Sequence, residues 1–393
     1  MKKKARHAII NKFVGLFLHP ILKKKFNLKV EKSDLKGPFL VLCNHTTDYD
    51  AFFIAKSFKP HIYFVMSDHI SSMKVGKLIK YLVSPIPITK STIDATTVKN
   101  IFEIVKSGGS VGIFPEGNKS FSGEMSEMKP SIAKLVKKLQ IPLVIYNIEG
   151  GYFSSPRWSK VKRKGEVNGR IRRVVTPEEY NNMSNDELFN LIKDKLRVNA
   201  YETQQRNPIE FNADNDRAKN IESFMYVCPE CKNISSLYGE CNVVKCNNCD
   251  YHAEYTTYGY LDGGKFTRLD QYDKWQKDYI YSLNFDSYKD DQVITSDTGF
   301  EVSIKKDNYK NVELGIFDFA LYKDKFIMLA EDEKNEDIII PLQIITGYAI
   351  EGMNGLQLSL SDGRVYRTKN KKPVSALKYT NLISKLNGLQ LKF

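Results

Sequence analysis

The sequence predicts an α/β domain with a largely parallel sheet, followed by a small cysteine-containing module and a β-rich C-terminal domain. Three observations predict this order. Apolar strands alternate with amphipathic stretches between residues 39 and 147, two Cys-x-x-Cys pairs follow a polar segment, and short alternating strands fill the chain beyond residue 290. Strands alternating with helices are typical of parallel sheets, whereas successive short strands indicate a sandwich or barrel. The chain has 393 residues, more than one hydrophobic core usually holds, so we expect several domains.

Positive charge is concentrated in two parts of the chain. The formal net charge is +13; residues 1–36 carry eleven Lys/Arg against two acidic residues, and residues 157–173 carry eight against one. Such patches attract anionic lipid headgroups, phosphates or nucleic acid. Apolar residues recur at helical spacing between Ala8 and Leu22, with lysines at both ends, which predicts an interfacial amphipathic helix within residues 1–35. A helix that packs on its own domain is the alternative.

The expected cellular location is inferred from the length of the apolar runs and from the number of cysteines. No run of 18 uncharged apolar residues and no secretory signal pattern is found in the sequence. We therefore expect a cytoplasmic protein, peripherally associated with the anionic inner face of the membrane. In the reducing cytosol the six cysteines are expected to be metal ligands or core thiols.

The first domain is predicted to span residues 36–203. Its predicted strands and helices alternate: strands at Phe39–Cys43, Ile62–Val65, Val111–Phe114 and Leu143–Tyr146, helices at Thr96–Lys106 and Ser131–Leu139. Ser184 and Glu187 have the spacing of a capping box, which predicts a helix that runs to about Tyr201. The polar residues 204–223 are predicted to be a linker.

The rest of the chain divides into the cysteine module at residues 224–256, a connector at 257–289 and the C-terminal domain at 290–393. Alternating apolar residues predict strands in that domain, at Val312–Tyr322, Lys325–Ala330, Ile338–Ile340, Leu356–Leu360 and Val365–Thr368. Asp362–Gly363 is a hairpin turn pattern, and a helix at Ser375–Leu386 is expected to end at Gly388. Strands followed by one helix resemble a pleckstrin-homology-like (PH-like) barrel.

One polar pair directly follows the first predicted strand. Asn44 and His45 end that strand, and Asp50 lies five residues beyond the histidine. If Thr46 or Thr47 caps the next helix, Asp50 can reach back to one imidazole nitrogen. The carboxylate would then fix the tautomer and leave the other nitrogen free to accept a proton, as a general base does. A structural histidine held by a nearby carboxylate is the alternative.

A second polar segment, Phe114-Pro-Glu-Gly117, follows another predicted strand, and strand ends are where open α/β sheets build sites. Together with Asn44-His45-x₄-Asp50, it resembles the glycerolipid acyltransferase family, whose signatures are an NHx₄D block and an FPEG block. Two weaker blocks fit in the same order, Ile86-Pro-Ile-Thr-Lys90 and Ile141-Pro-Leu-Val-Ile145. The resemblance covers roughly residues 36–200.

The resemblance implies direct acyl transfer. The family's histidine, here His45, deprotonates a glycerol hydroxyl that attacks an acyl thioester, and the aspartate, here Asp50, orients it. The thioester would come from acyl-CoA or acyl carrier protein, and the acceptor would be a lysophospholipid, foremost 1-acylglycerol 3-phosphate, giving phosphatidic acid. Substrate binding is implied for the remaining block residues, which are Asn44, Lys90, Glu116, Gly117 and Lys119.

This chain departs from the family pattern at two kinds of position. Lys90 and Lys119 stand where the family usually has phosphate-binding arginines, and a lysine offers a point charge instead of a bidentate fork. Phosphate contact therefore remains expected, with weaker headgroup selection. Ser84 replaces a glycine that often opens the second block. The basic segment 156–164 could bind acceptor phosphate, donor phosphates or the membrane, or could be a solvated face.

Two other segments of the sequence contain a possible nucleophile. Gly108-Gly-Ser-Val-Gly112 matches the G-x-S-x-G pattern of serine hydrolases, which requires a strand before the serine and a helix after it. The predicted order here is the reverse, so Ser110 is interpreted as a turn residue. Cys43 is interpreted as an inward-facing strand thiol.

The cysteine module has the spacing of a zinc ribbon. Its two pairs are fourteen residues apart, and two such knuckles hold one tetrahedral zinc; the predicted ligands are Cys228, Cys231, Cys246 and Cys249. A redox dithiol is the rival interpretation. Residues 228–255 hold two lysines against four acidic residues, a net charge opposite to what nucleic-acid binding requires. We therefore expect a structural zinc, with no metal or redox cofactor at the active site.

A second class of function remains open at this point. A binding protein could have kept a silent acyltransferase domain and use the zinc ribbon as a membrane- or nucleic-acid-binding scaffold. Turnover that is lost on replacement of His45 would distinguish an enzyme from such a scaffold.

Overall fold

The computed structural model describes residues 20–67, 84–88, 95–305 and 311–388. Most of the predicted interfacial helix and Lys90 lie outside these residues. The chain forms two compact units, one containing residues up to 156 together with 162–212, the other containing 157–161 and the residues from 213 onward. Within the described residues, no helix combines the length and the apolar character needed to cross a membrane.

The first unit is built on a seven-stranded sheet in the order β1-β7-β6-β2-β5-β3-β4. The strands are β1 (Leu28–Val30), β2 (Leu40–Cys43), β3 (Ile62–Ser67), β4 (Ile86–Ile88), β5 (Ser110–Ile113), β6 (Leu143–Glu149) and β7 (Val167–Val175). All neighbouring strands are parallel except β6 and β7, which pair antiparallel. The predicted α/β core with a largely parallel sheet is therefore confirmed.

Helices cover both faces of this sheet. They are α1 (residues 20–26), α2 (Asp50–Ser57), α3 (Ala95–Lys106), α4 (Ser131–Leu139), α5 (Gly151–Ser154), α6 (Pro177–Asn181), α7 (Asn185–Leu196) and α8 (Ala200–Arg206). Leu40 and Leu42 of β2 belong to one hydrophobic core with α3, α4 and α7, whereas Val41 and Cys43 belong to a second core with α1 and α2. Because both faces are covered, β2 is a continuous run of buried apolar residues.

The end of this unit differs from the prediction. The capping box at Ser184 and Glu187 is present, but the helix ends at Leu196 and a new one begins at Ala200. The side chain of Asn199 caps the new helix by accepting hydrogen bonds from the backbone N–H groups of Tyr201 and Glu202, so the predicted single helix to Tyr201 is wrong. The segment predicted as a linker contains buried apolar side chains, including Phe211 and Ile221, and is packed.

The second unit contains two antiparallel sheets. A four-stranded sheet, in the order β11-β10-β9-β8, consists of β8 (Leu237–Glu240), β9 (Val243–Cys246), β10 (His252–Tyr255) and β11 (Leu261–Asp262). The second sheet has the order β15-β14-β13-β12-β18-β17-β16. Its strands are β12 (Thr295–Lys305), β13 (Asn311–Leu321), β14 (Lys325–Ala330), β15 (Ile338–Pro341), β16 (Ile345–Glu351), β17 (Gly355–Leu360) and β18 (Val365–Asn370).

The described residues of this unit also form two α-helices, α9 (Leu269–Ser282) and α10 (Ala376–Leu386). The β-rich C-terminal region and its terminal helix are confirmed, although β12 and β16 were not predicted. Helix α9 lies in the segment expected to be only a connector. It packs within the unit through Tyr272, whose hydroxyl donates a hydrogen bond to the backbone oxygen of Val227 at 2.6 Å.

Candidate active site

The candidate site lies at the carboxyl ends of two neighbouring parallel strands. Strands β2 and β5 pair directly, so the segments that follow them emerge at the same edge of the sheet. The backbone N–H of His45 donates to Oε1 of Glu116 at 2.7 Å, and the backbone N–H of Ser120 donates to the oxygen of His45 at 3.1 Å. The structure therefore brings the histidine and the glutamate of the two sequence motifs together.

The His45 imidazole is held by a buried carboxylate. Nδ1 of His45 lies 2.9 Å from Oδ2 of Asp50, the first residue of α2. Asp50 is fully buried, and it also accepts hydrogen bonds from the backbone N–H and the hydroxyl of both Thr46 and Thr47, at 2.6 to 3.2 Å. Because so many donors converge on it, the carboxylate acts as an acceptor and Nδ1 carries the proton.

The other imidazole nitrogen is left available. Nε2 of His45 makes no hydrogen bond within the described residues, and the side chain is 23% exposed. The ring stacks on Phe114, with centroids 4.3 Å apart and planes 19° from parallel. Phe114 and Asp50 together fix the orientation of the imidazole, which is the arrangement that a general base requires.

Asn44 ties the first motif to the neighbouring strand. Its side-chain amide donates to the backbone oxygen of Ile148 at 2.9 Å and accepts from the backbone N–H of the same residue at 2.8 Å. The side chain is buried, 3% exposed. These contacts hold the start of the His45 loop against β6, and substrate contact by Asn44 stays a prediction.

Glu116 is also held by hydrogen bonds to the backbone, through both of its carboxylate oxygens. It accepts the N–H of His45 on one and the N–H of Ser126, at 2.8 Å, on the other. Burial raises the pKa of Glu116 to about 8, and these two hydrogen bonds only partly oppose the shift. The next residue, Gly117, has a φ of 69° and no atom within 4 Å of where a Cβ would lie, so it makes an open left-handed turn beside the site.

The raised pKa of Glu116 predicts a specific pH dependence of stability. Between its ordinary value and about 8 the folded state holds a proton that the unfolded state has lost, so Glu116 makes stability fall as pH rises through this window. Relative to Glu116→Gln, the wild type should lose up to about 1.4 kcal/mol per pH unit. Hydrogen exchange of the β2 amides at pH 5 to 8 measures this difference. The exposed Glu127→Gln is the control, and a wild-type-minus-Gln difference that is constant with pH would contradict the assignment.

Lysines surround the opening next to His45. Nζ of Lys119 lies 2.7 Å from Oδ1 of Asp48, and Lys25 donates to the hydroxyl of Tyr49 at 3.2 Å. Lys162, on the basic segment 156–164, is close enough for the charges of Asp48, Lys119 and Lys25 to act on it. Lys119 and Lys162 therefore lie in one positively charged region beside His45, with Asp48 as its counter-ion.

Three other residues singled out from the sequence also have defined places. Ser110 begins β5 after helix α3, and its buried Oγ accepts the N–H of Phe39 at 3.2 Å, so no hydrolase elbow is formed. Cys43 is buried in β2, where burial and then the nearby carboxylates raise the pKa of its thiol. Ser84 has a φ of 46°, the left-handed region that glycine favours.

The four predicted metal ligands converge in the second unit. The Sγ atoms of Cys228, Cys231, Cys246 and Cys249 all lie within 4.8 Å of one another. The Cys228–Cys249 and Cys231–Cys246 separations are 3.6 and 3.8 Å. Four sulfurs bound tetrahedrally at a Zn–S distance of about 2.3 Å are about 3.8 Å apart, so the spacing fits zinc. Cys241 is exposed on the β8–β9 turn, outside this cluster.

Sequence reasoning missed several residues that shape the site. Asp48 lies inside the NHx₄D block, but nothing in the sequence indicated its ion pair with Lys119. The stacking of Phe114 on His45 is likewise not evident from the FPEG motif, although its position before Pro115 at a strand end is a signal for a ring against the histidine. Thr46 and Thr47 were expected as helix caps, whereas their main contacts are to Asp50.

Two comparisons with known sequences concern the first unit. A model of the family described as "Acyltransferase" matches residues 24–148. A Mycoplasma genitalium protein named "Probable 1-acyl-sn-glycerol-3-phosphate acyltransferase" is 23% identical over 184 residues, which are 43% of this chain and 68% of that protein.

Solved structures give weaker likenesses. The crystal structure of the 1-acyl-sn-glycerophosphate (LPA) acyltransferase PlsC from Thermotoga maritima is 21% identical and covers 52% of this chain and 83% of that chain, with a TM-score of 0.43. The N-terminal PH domain of human ARAP2 is 15% identical and covers 24% of this chain and 76% of that chain, with a TM-score of 0.18. TM-scores this low do not establish a shared fold. The chain thus contains a segment, residues 24–148, that matches the acyltransferase family.

Proposed function

We propose that this protein transfers a fatty acyl group from acyl-CoA or acyl carrier protein to the free hydroxyl of a lysophospholipid, with 1-acylglycerol 3-phosphate as its main acceptor. The observation that carries the proposal is the His45–Asp50 pair, in which a buried carboxylate holds Nδ1 and Nε2 is left free. The family match over residues 24–148 and the named Mycoplasma genitalium relative support it.

In the proposed reaction, Nε2 of His45 takes the proton of the acceptor hydroxyl as its oxygen attacks the thioester carbonyl. The new oxygen–carbon bond forms, the carbon–sulfur bond breaks, and the proton returns to the departing thiolate. Asp50 stabilises the transient imidazolium and is not itself protonated. A thioester is already an activated acyl donor, so the histidine needs only to supply the base.

The acceptor phosphate is proposed to bind the lysines beside His45. Lys119 and Lys162 lie in one charged region, and Gly117 leaves its turn open beside them. Lys90 is proposed to join them, as the family resemblance implies. Lysines suit a phosphate as point charges, which favours phosphorylated acceptors without a strict fit to one headgroup.

Lys119 provides the test of this phosphate contact. Lys119→Ala should raise the KM for 1-acylglycerol 3-phosphate by about 10- to 100-fold, since a hydrogen bond to a charged group is lost. The KM for an uncharged monoacylglycerol should change little. Steady-state kinetics with both acceptors measure the effect, with the exposed Lys129→Ala as the matched control. Equal changes in KM for the two acceptors would show that Lys119 does not bind the phosphate.

A structural zinc bound by the four clustered cysteines is proposed for the second unit. Two of their separations, 3.6 and 3.8 Å, are close to those of tetrahedral thiolate coordination, and all four Sγ atoms lie within 4.8 Å of one another. When bound, zinc would stabilise the surrounding turns and β8–β10 without taking part in the acyl transfer. The module makes further contacts in its own unit, including a hydrogen bond between the Tyr226 hydroxyl and Asn381 of α10.

Peripheral attachment to an anionic membrane surface is proposed for the N-terminal region, at the cytoplasmic inner face. The described end of the predicted interfacial helix supports it, because Ile21 is 59% exposed and the neighbouring Lys23 and Lys24 are exposed as well. An exposed apolar residue beside lysines is the combination that binds the headgroup region of anionic bilayers.

The decisive experiment incubates purified protein with mixed lyso-acceptors and acyl donors on both carriers, and identifies the lipid products by mass spectrometry. The proposal predicts phosphatidic acid as the main product. Absence of any acylated product with either carrier would reject it in favour of a silent scaffold, the second class of function that the sequence left open.

A further inference from the structure

A second cleft lies in the first unit, beside the catalytic histidine. It has a volume of about 490 Å³ and is lined by three arginines, Arg172, Arg197 and Arg206. It adjoins the small cavity that His45 lines, because Val198 lines both. Along β6 the lining alternates, with Asn147 and Glu149 facing the cleft and Ile148 facing the cavity.

The three arginines differ in how strongly their guanidinium groups are bound by other groups of the protein. Arg197 is held between two carboxylates, Glu124 at 2.7 Å and Glu202 at 2.8 Å. Arg206 lies 3.8 Å from its carboxylate partner Glu149, and its only hydrogen bonds among the described residues are long ones, at 3.4 Å, to the backbone oxygen of Glu202 and the hydroxyl of Thr203. Arg172 is exposed and makes no ion pair or hydrogen bond within the described parts of the chain. Two guanidinium groups are therefore available to a bound anion.

Two backbone and side-chain features indicate that the cleft is built for a ligand. The register of β6 and β7 shifts between Ile145, which pairs with Arg173, and Tyr146, which pairs with Ile171, so Arg172 is the extra residue of a β-bulge. Bulges redirect side chains and are common next to active sites. In addition, Asn147 is 4% exposed, and its Oδ1 has no hydrogen-bond partner in the described structure. A buried polar atom of this kind needs a partner.

We infer that this cleft binds the nucleotide diphosphate end of acyl-CoA, which rests on the acyl transfer proposed above. Guanidinium groups recognise phosphates through paired hydrogen bonds, and Asn147 offers an amide to the base or sugar. A volume of about 490 Å³ is that of a small-molecule cleft, and therefore favours a nucleotide over the surface of a carrier protein. Because Val198 lines both the cleft and the cavity at His45, the flexible pantetheine arm of acyl-CoA can carry the thioester from the cleft to His45.

The test measures binding of coenzyme A to the full-length protein by calorimetry, with pantetheine, which lacks the phosphates and the nucleotide, as the comparison probe. Arg172→Glu and Arg206→Glu should each weaken coenzyme A binding by about 10- to 100-fold. Arg170→Glu, on the same strand but outside the cleft, should stay within about twofold of the wild type. Pantetheine should bind much more weakly than coenzyme A.

The inference fails if Arg172→Glu binds coenzyme A as the wild type does, or if pantetheine binds as tightly as coenzyme A. It also fails if coenzyme A does not bind while Arg172→Glu raises the KM for acyl carrier protein, since the occupant would then be the protein carrier. Binding is measured without turnover. Absence of product with every donor therefore rejects the proposed reaction, whereas unaltered coenzyme A binding in the arginine variants rejects only the cleft.

Discussion

Replacement of His45 by alanine should reduce the rate of acyl transfer by about 10² to 10⁴, the usual contribution of a general base. In the NHx₄D block, the imidazole of His45 presents a nitrogen that can accept a proton. The side-chain polar atoms of Asn44 and Asp50 instead make hydrogen bonds within the protein. Turnover of 1-acylglycerol 3-phosphate, followed by product mass spectrometry, measures the loss. Binding of the variant to anionic vesicles should be unchanged, since the interfacial residues are untouched.

Two further variants make the His45 result specific. Asp50→Asn keeps the size of the side chain but weakens the acceptor for Nδ1, so it should lose much of the rate while remaining folded. His61→Ala removes a partly exposed histidine that packs edge-on against Tyr63, outside the site. A rate in His45→Ala equal to that in His61→Ala would contradict the assigned base.

Loss of the metal should unfold the cysteine module. Zinc bound by four thiolates contributes about 10 kcal/mol or more to small modules of this kind, which is comparable to the total stability of a domain. Purified protein should contain one zinc per chain by elemental analysis, and Cys228→Ser or chelation should release it. Both tryptophans report on this unit: Lys232 lies over the Trp275 ring at 4.5 Å, and Trp158 packs against Tyr255. Their fluorescence should change on metal loss.

The matched control for the zinc prediction is Cys241→Ser, which alters an exposed cysteine outside the cluster. It should retain the metal and the fluorescence of the wild type. If Cys228→Ser does not fold during expression, chelation of wild-type protein followed by zinc readdition gives the same information. Wild-type fluorescence and thermal stability that persist without zinc would show that the cysteines are not a structural metal site.

The loss should extend to the C-terminal helix. Lys378 of α10 is 1% exposed and donates to Ser235, which lies between the two cysteine pairs, and to Asp297 of β12. Burial lowers the pKa of Lys378, while Asp297 opposes that shift. A buried ammonium that loses one of its partners is strongly destabilising, so hydrogen exchange in α10 should rise when the metal is removed.

Much of the first unit could be predicted because its signals are local. Strands such as β2 and β5 are short runs of buried apolar residues, and the two polar motifs that follow them have fixed spacing. The capping box at Ser184 likewise depends only on residues three apart. By contrast, β7 is rich in exposed arginines and has no apolar alternation, which is why it was not predicted.

The parts that could not be predicted depend on contacts between distant residues. The pairing of Lys119 with Asp48 joins positions 71 residues apart. The cleft around Arg172 depends on the placement of β7 beside β6 and on a β-bulge that no residue type in the sequence indicates. The break between α7 and α8 depends on the hydrogen bonds of Asn199, a residue that the helical pattern alone treated as one more helical position.

The ion pair between Lys119 and Asp48 has a consequence for how an anionic acceptor enters. With the Asp48 carboxylate already 2.7 Å from Lys119, binding of a phosphate to this lysine is an exchange of one anion for another. Such an exchange favours a dianion over weakly basic or singly charged competitors, because a dianion repels the Asp48 carboxylate most strongly and so displaces it. Acceptor selection would then be set by the charge that must be displaced as much as by the charge that attracts.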